Sequence, residues 1–140
     1  ISCELGTGSV LKGTTTQYTG TAYSATDVFA IAMDLDNNKW YIAKNNTWAN
    51  SGDPESGATG TGAVAITAIA SVTQAGKQDA YFPIQSDPSS TLGATLNWNF
   101  GNPAYTNTSD AADGNGYGKF EYAPPSGYYA ICTKNLGEIG

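Results

Sequence analysis

Between Asp27 and Leu35 the chain alternates strictly. Phe29, Ile31, Met33 and Leu35 are bulky and apolar, and they are separated by the smaller Ala30, Ala32 and Asp34, with Val28 ahead of them. A repeat of two residues belongs to a β-strand, whose successive side chains point to opposite faces. The bulky face is expected in a core, and the small face tightly against neighbouring chain. Asp36-Asn37-Asn38 then reads as a turn. Asx residues tolerate positive φ, and Asn-Asn suits the two central positions of a tight hairpin. Residues 39–44, KWYIAK, return as the second strand.

This hairpin sets the class expected of the remainder. The 140 residues suit one domain with a single core. Leu, Glu, Lys and Arg do not occur in the runs a long helix needs. Small polar residues interleave instead with β-branched and aromatic ones, nine of them Tyr. Charged residues are 13% and aromatics 11%, the reverse of a disordered chain. The expectation is therefore an all-β fold. Further strands are expected at residues 16–19, at 80–85 with a break at Pro83, at 91–100 and at 128–134. In 91–100, Leu92, Ala94, Leu96, Trp98 and Phe100 share one face. Residues 63–72 fit either a strand or a short helix, and residues 45–62 and 101–118 read as long loops. No fixed-period repeat occurs.

Composition narrows the function classes. The net charge is −6, with six Lys and no Arg, so the basic face that neutralises phosphates is missing and no nucleic-acid partner is expected. No apolar run reaches the ~18 residues of a membrane span, so no membrane insertion is expected. No positively charged start leads into an apolar stretch, so no signal peptide is expected. The start at Ile1 is read as that of a segment from a longer polypeptide. Cys3 and Cys132 are read as two buried thiols, with a disulfide clamping the ends as the alternative. Two Cys without His make no zinc site.

Catalytic constellations are scarce. With no His there is no nucleophile–His pair, and with no Arg there is no bidentate clamp for carboxylate or phosphate. Gly-Thr-Gly at 6–8 and 60–62 lacks the Lys and helix of a phosphate loop. The carboxylate pairs Asp34/Asp36, Asp53/Glu55 and Asp110/Asp113 leave a glycosidase formally open. The first pair is explained by its turn, where Asp36 is expected to accept from backbone amides, and the others fall in loops. Asp34-x-Asp36-x-Asn38 and Asp110-x-x-Asp113-Gly-Asn115 imitate fragments of calcium loops without a full ligand set. No catalytic residue, metal or cofactor is expected. Trp40 and Trp98 are expected in the core. Trp48, Tyr105 and Tyr117 lie in the long loops and are the candidate ligand-binding residues, since a loop ring can stack on a sugar or seal an interface. The alternative for each ring is that it pins its own loop.

Several segments in order resemble the SPRY domain. DVFAIAMDLDNNKWYIAKNN (27–46) is similar to its central hairpin, in which a strand ending Asp-x-Asp turns into an aromatic strand closing on Lys-Asn-Gly. AYFPIQS (80–86) resembles its aromatic-Phe-Pro strand, LNWNFG (96–101) its penultimate strand, and FEYAPPSGYYAICTKNL (120–136) its closing element. Residues 48–54 and 117–129 resemble in particular the SPRY-like domains of large bacteriophage tail-fibre and virion-appendage proteins. The likeness covers about residues 27–136. Asn46 stands where the family has Gly, and the family's first strands have no match in residues 1–26.

The resemblance implies a concanavalin-like jelly roll, an antiparallel two-sheet β-sandwich over 27–140. Residues 1–26 are then either diverged N-terminal strands or a link to an upstream domain. It also implies a lectin-like, non-enzymatic module in a virion, outside the cell, contacting a host-surface glycan or protein. Other copies of the chain or neighbouring virion proteins are the further partners expected, and trimers are common among such fibres. The alternatives are a structural spacer or decoration domain and, more remotely, a glycan-cleaving enzyme. Asn45-Asn46-Thr47 and Asn107-Thr108-Ser109 match glycosylation acceptors, which carry no meaning in a phage protein.

Overall fold

The computed structural model describes residues 1–69, 80–86 and 95–137. Its regular structure is mostly β, in two antiparallel sheets, with few helical residues. The first sheet is a meander of β1 (Ser2–Glu4), β2 (Ser9–Lys12) and β3 (Thr15–Thr19). Gly13 at φ 62 takes the first central position of the two-residue β2–β3 turn, the place a type II′ hairpin reserves for glycine. Register aligns Cys3 with Val10 and Val10 with Tyr18, so one face of this sheet presents a row of three apolar side chains.

The second sheet is built on the hairpin of β4 (Phe29–Asp34) and β5 (Lys39–Lys44). Met33 pairs with Trp40 and Ile31 with Ile42, which sets Met33, Trp40, Ile31 and Ile42 on one face. The free edge of β5 is shared by two short strands. β6 (Thr47–Trp48) covers the Lys44 end, and β7 (Val64–Ala65) covers the Lys39 end. With neighbours on both edges, β5 is the most buried of the described strands.

The two sheets meet through one apolar cluster. Val10 of the first sheet packs with Trp40, Ile42, Val64 and Ile66, and Cys3, Tyr18, Phe29 and Met33 pack around them. A fully buried Val or Ile side chain contributes about 1.5–3 kcal/mol, so this cluster is the main source of cohesion between the sheets. Lys12 Nζ adds a 2.8 Å hydrogen bond to the Ala65 carbonyl. The linker from β3 to β4 is fastened to the end of β5. Asp27 pairs with Lys44 at 2.8 Å and accepts from Asn45 at 2.6 Å, while Asn45 Oδ1 accepts from the Val28 amide.

The structure corrects several expectations. The β4–β5 connection is not a two-residue Asn-Asn turn but a four-residue one spanning 35–38, in which only Asn38 takes positive φ. Asp34, not Asp36, holds it, accepting from the Asn37 amide at 2.9 Å and the Asn37 carboxamide at 2.8 Å. The bulky face of β4 is only partly covered, for Ile31 is 40% exposed and Leu35 lies in the turn. Residues 80–86 and 95–100 form no strand, and Trp98 is 40% exposed rather than in the core. Residues 128–134 also form no strand, and the chain instead enters a one-turn helix, α1 (Thr133–Leu136). Residues 45–62 are not a plain loop but hold β6 and two 3₁₀ turns, at Ala49–Ser51 and Pro54–Thr59. Of the 63–72 expectation, β7 realises a strand at its start, and residues 70–72 lie outside the described residues. So do residues 91–94 of the expected 91–100 strand. Cys3 and Cys132 are free thiols, each half-buried.

Candidate functional site: a cleft walled by Trp48

The site begins at a turn. Lys44 pairs with Thr47, leaving Asn45 and Asn46 as the two central residues of a tight hairpin, at φ 48 and φ 65. Two successive positive φ values are the mark of a type I′ turn, and Asn is the non-glycine residue that tolerates them best. Asn46 therefore does the conformational work of the glycine that the resemblance places there. The turn delivers Trp48 opposite Ala43, with its ring edge-on to Tyr41 at 6.3 Å between centroids. Tyr41 is 1% exposed, and among the described residues its hydroxyl has no hydrogen-bond partner.

Beyond Trp48 the chain folds back over itself. Asp53 caps the second 3₁₀ turn, its Oδ1 accepting from the Glu55 amide at 2.9 Å, and Pro54 behind it is buried. Glu55 Oε1 accepts from the Ser126 amide at 2.7 Å, and Tyr128 donates from its hydroxyl to the Pro54 carbonyl at 3.0 Å. Burial pushes the Tyr128 phenol up, and the nearby Asp34, Tyr41, Asp53 and Glu55 push it further, so it stays a donor. These two long-range bonds bring residues 123–125 against the 48–55 segment. Between them lies an open cleft of about 340 Å³, with Asn46, Trp48, Asp53, Pro54 and Glu55 on one side and residues 123–125 on the other. No protein-family model, curated protein or solved structure matches this chain.

The three aromatics singled out from the sequence do not converge. Trp48 walls this cleft. Tyr105, 40% exposed, lines a different depression of about 580 Å³, together with Asn102, Asp110 and Lys119. Tyr117 lines neither. Its amide donates to Asp113 at 2.9 Å, and its ring lies under Lys134 Nζ at 5.3 Å. Lys119 and Asp110, beside Tyr105, form an exposed ion pair at 2.8 Å, which contributes little to stability.

The carboxylates are mostly committed to holding the backbone. Asp53 and Glu55 stand on the same wall of the cleft, two residues apart, and each already accepts from an amide. Asp113 is buried at 7% exposure. Its Oδ1 accepts from the Asn115 and Tyr117 amides, and its Oδ2 from the Ala130 amide and the Asn135 carboxamide. Burial alone would raise its pKa, but these four donors outweigh burial and hold it below the ordinary carboxylate value. Asp113 was expected in a loose loop, and it is instead the clamp that fixes that loop. Among the described residues, no three Asp, Glu, Cys or His side chains gather as a metal would require.

Sequence reading found Trp48 but not its companions. Asn46, Asp53, Glu55 and the prolines at 124 and 125 reach the cleft only because Ser126 and Tyr128 cross to Glu55 and Pro54. The Asn-Asn dipeptide and the capping pattern of Asp53-Pro54-Glu55 were visible signals of local turns. Nothing local connects residue 55 to residue 126.

Proposed function

We propose that this chain is a non-enzymatic, lectin-like binding module that takes a glycan in the Trp48 cleft. The observation that carries this reading is the make-up of the cleft. An indole ring, a side-chain amide and two carboxylates with spare acceptor oxygens border a shallow, solvent-open trench. A sugar offers an apolar ring face to stack on an aromatic, and hydroxyls at its rim to donate to carboxylates and amides. The volume falls at the lower end of ordinary ligand sites, near that of one or two sugar rings. The carboxylates share one wall and hold backbone amides, which supports binding rather than the two-sided attack of a glycosidase.

Two antiparallel sheets sharing one apolar cluster support a sandwich of the concanavalin kind. A place in a bacteriophage fibre or appendage, with a host-surface glycan as target, rests on the SPRY-like segments of the sequence. A glycan array probed with the chain and with Trp48→Ala tests the reading. Selective binding that falls at least tenfold in Trp48→Ala is expected. Uniform signal across all sugars, or undiminished binding by the variant, would count against it.

A second reading, a structural module within an assembly, is favoured by a separate observation. The chain exposes a run of large apolar side chains far from this cleft in sequence.

A further inference from the structure

The Trp48 cleft is rich in hydrogen-bond acceptors and poor in donors. Along its first wall the Gly52 amide donates to the Ala49 carbonyl at 2.9 Å, the Asp53 amide to the Thr61 carbonyl at 3.0 Å, and the Glu55 amide to Asp53 Oδ1 at 2.9 Å. Pro54 on that wall, and Pro124 and Pro125 opposite, carry no N–H. The backbone at these six positions therefore has no hydrogen left for a ligand. The side-chain donors that remain are the Asn46 carboxamide and the Trp48 indole. Acceptors are in better supply. Asp53 Oδ1 and Glu55 Oε1 are taken by amides, but among the described residues the second oxygen of each carboxylate makes no hydrogen bond.

The charge of the cleft points the same way. Asp53 and Glu55 are exposed, and among the described residues no Lys lines the cleft. The ion pairs among those residues join Lys44 to Asp27 and Lys119 to Asp110, so neither cleft carboxylate has a cation beside it. Both carboxylates are also fixed in place. Asp53 caps its own 3₁₀ turn, and Glu55 is tied to the Ser126 amide. The indole of Trp48 is braced edge-to-face against the buried Tyr41 ring.

An aromatic face beside two unpaired, oriented carboxylates is complementary to a cation. The ring attracts it through its quadrupole, and the carboxylates accept charge-assisted hydrogen bonds. An acidic sugar meets few donors here and two like charges. A neutral sugar can donate from its hydroxyls but gains no charge pairing. An ammonium brings three donors, no acceptor and one positive charge.

We propose that the Trp48 cleft selects amino sugars whose amine is free and protonated, over neutral, N-acetylated and acidic sugars. The proposal rests on the glycan reading and names the class of sugar that site takes. The ammonium lies between the Trp48 ring and the spare oxygens of Asp53 and Glu55, and the Asn46 carboxamide serves the sugar hydroxyls.

Isothermal titration with trimers of glucosamine, glucose, N-acetylglucosamine and glucuronic acid tests it, at about pH 6, below the ~8 at which an α-amino group titrates. The first three differ only in the group at C2. The glucosamine trimer is expected to bind about tenfold tighter than the glucose and N-acetylglucosamine trimers, and the glucuronic acid trimer weakest of all. Asp53→Asn and Glu55→Gln each remove a charge while keeping the oxygen that accepts the Glu55 or Ser126 amide. Each is expected to cut the preference for glucosamine over glucose at least about threefold. Glu4→Gln removes the same charge from the exposed edge of β1 and is expected to leave that preference unchanged.

Trp48-dependent binding that favours a neutral or acidic trimer overturns the proposal and leaves the glycan reading standing. A preference untouched by both cleft variants, or equally reduced by Glu4→Gln, overturns it as well, because net charge alone would then be at work. Trilysine binding as tightly as the glucosamine trimer would assign the cleft to a basic peptide and overturn the sugar. Absence of Trp48-dependent binding for every trimer removes the glycan reading, and this proposal with it.

Discussion

The carboxylate of Asp113 and the carboxamide of Asn135 meet 2.7 Å apart in the interior, though 22 residues separate them in sequence. Asn135 also donates to the Ala130 carbonyl at 2.9 Å and accepts from Asn115 at 2.9 Å. The pair therefore joins the 113–117 turn, the 128–132 segment and α1 into one polar knot. Replacing Asp113 by Ala leaves the Ala130, Tyr117 and Asn115 amides without their acceptor, at about 1–3 kcal/mol for each that stays buried. The expected loss is about 3 kcal/mol in urea unfolding, with amide exchange at Ala130 accelerated. Asp113→Asn is expected to fall between, because it keeps one acceptor and sets a donor against the others. An Ala variant as stable as wild type would show that the knot is not structural.

Acid should loosen the fold through depressed carboxylates. Hydrogen bonding from Lys44, then from Ser24 and Asn45, brings Asp27 down to about 2 from an ordinary 3.8. Asp113 is lowered as well. A carboxyl held lower in the folded chain than in the unfolded one stabilises the fold above the unfolded value, and that contribution is lost as pH falls through the folded one. Unfolding midpoints are expected to be level down to about pH 4 and to decline between there and about pH 2. Asp27→Asn should flatten part of that decline. A midpoint unchanged at about pH 2.5 would contradict both assignments.

The three loop aromatics should separate by function. Trp48→Ala is expected to lower glycan binding at least tenfold, whereas Tyr105→Ala and Tyr117→Ala should leave it within about twofold, since neither ring lines the cleft. Isothermal titration with a sugar identified by array reads all three. A loss with Tyr105→Ala equal to that with Trp48→Ala would move the site to the other depression.

Ile31 and Ile42 face each other across the β4–β5 pair, yet one is 40% exposed and the other 2%. Ile42→Ala opens a cavity in the shared core and should cost about 3–4 kcal/mol, while Ile31→Ala should cost about 1 kcal/mol or less. Equilibrium denaturation of the two variants gives the comparison directly. Equal losses would mean that Ile31 is covered in solution.

Cys3 should be slow to alkylate. Burial first, and the Glu4 charge second, push its thiol from 9.0 up to about 11, and the thiolate is the reactive form. Near pH 8 the thiolate fraction falls about 100-fold. Modification of Cys3 by iodoacetamide is therefore expected at least tenfold slower in the native chain than in urea, followed by mass spectrometry on the peptide. Equal rates would place Cys3 in water.

Local chemistry was legible where a pattern and its partner lie close in sequence. The period of two over 27–35 and the return at 39–44 specify a hairpin with no help from elsewhere, and β5 occupies the expected residues, Lys39–Lys44. The same residue type misled at its turn. An Asn-Asn pair does form a tight two-residue hairpin, but it is Asn45-Asn46 rather than Asn37-Asn38. Asp34 can bridge the longer turn through Asn37, whereas β6 needs the shorter one to reach β5. The strand pattern at 80–86 and 95–100 is equally genuine in the sequence and unrealised in the fold, because a strand needs a neighbour and none is supplied within the described residues.

The sequence by itself determined the β class, the central hairpin, the acidic charge and the supply of loop aromatics, all properties of single segments or of composition. Only the tertiary structure decided which of those residues act together. Trp48 has a cleft because Ser126 and Tyr128 cross to Glu55 and Pro54, and Asp113 is a clamp because Asn135 comes back to it. Contacts between residues some 20 to 75 positions apart depend on how the sheets close over their shared core. No local period or turn signal records that closure.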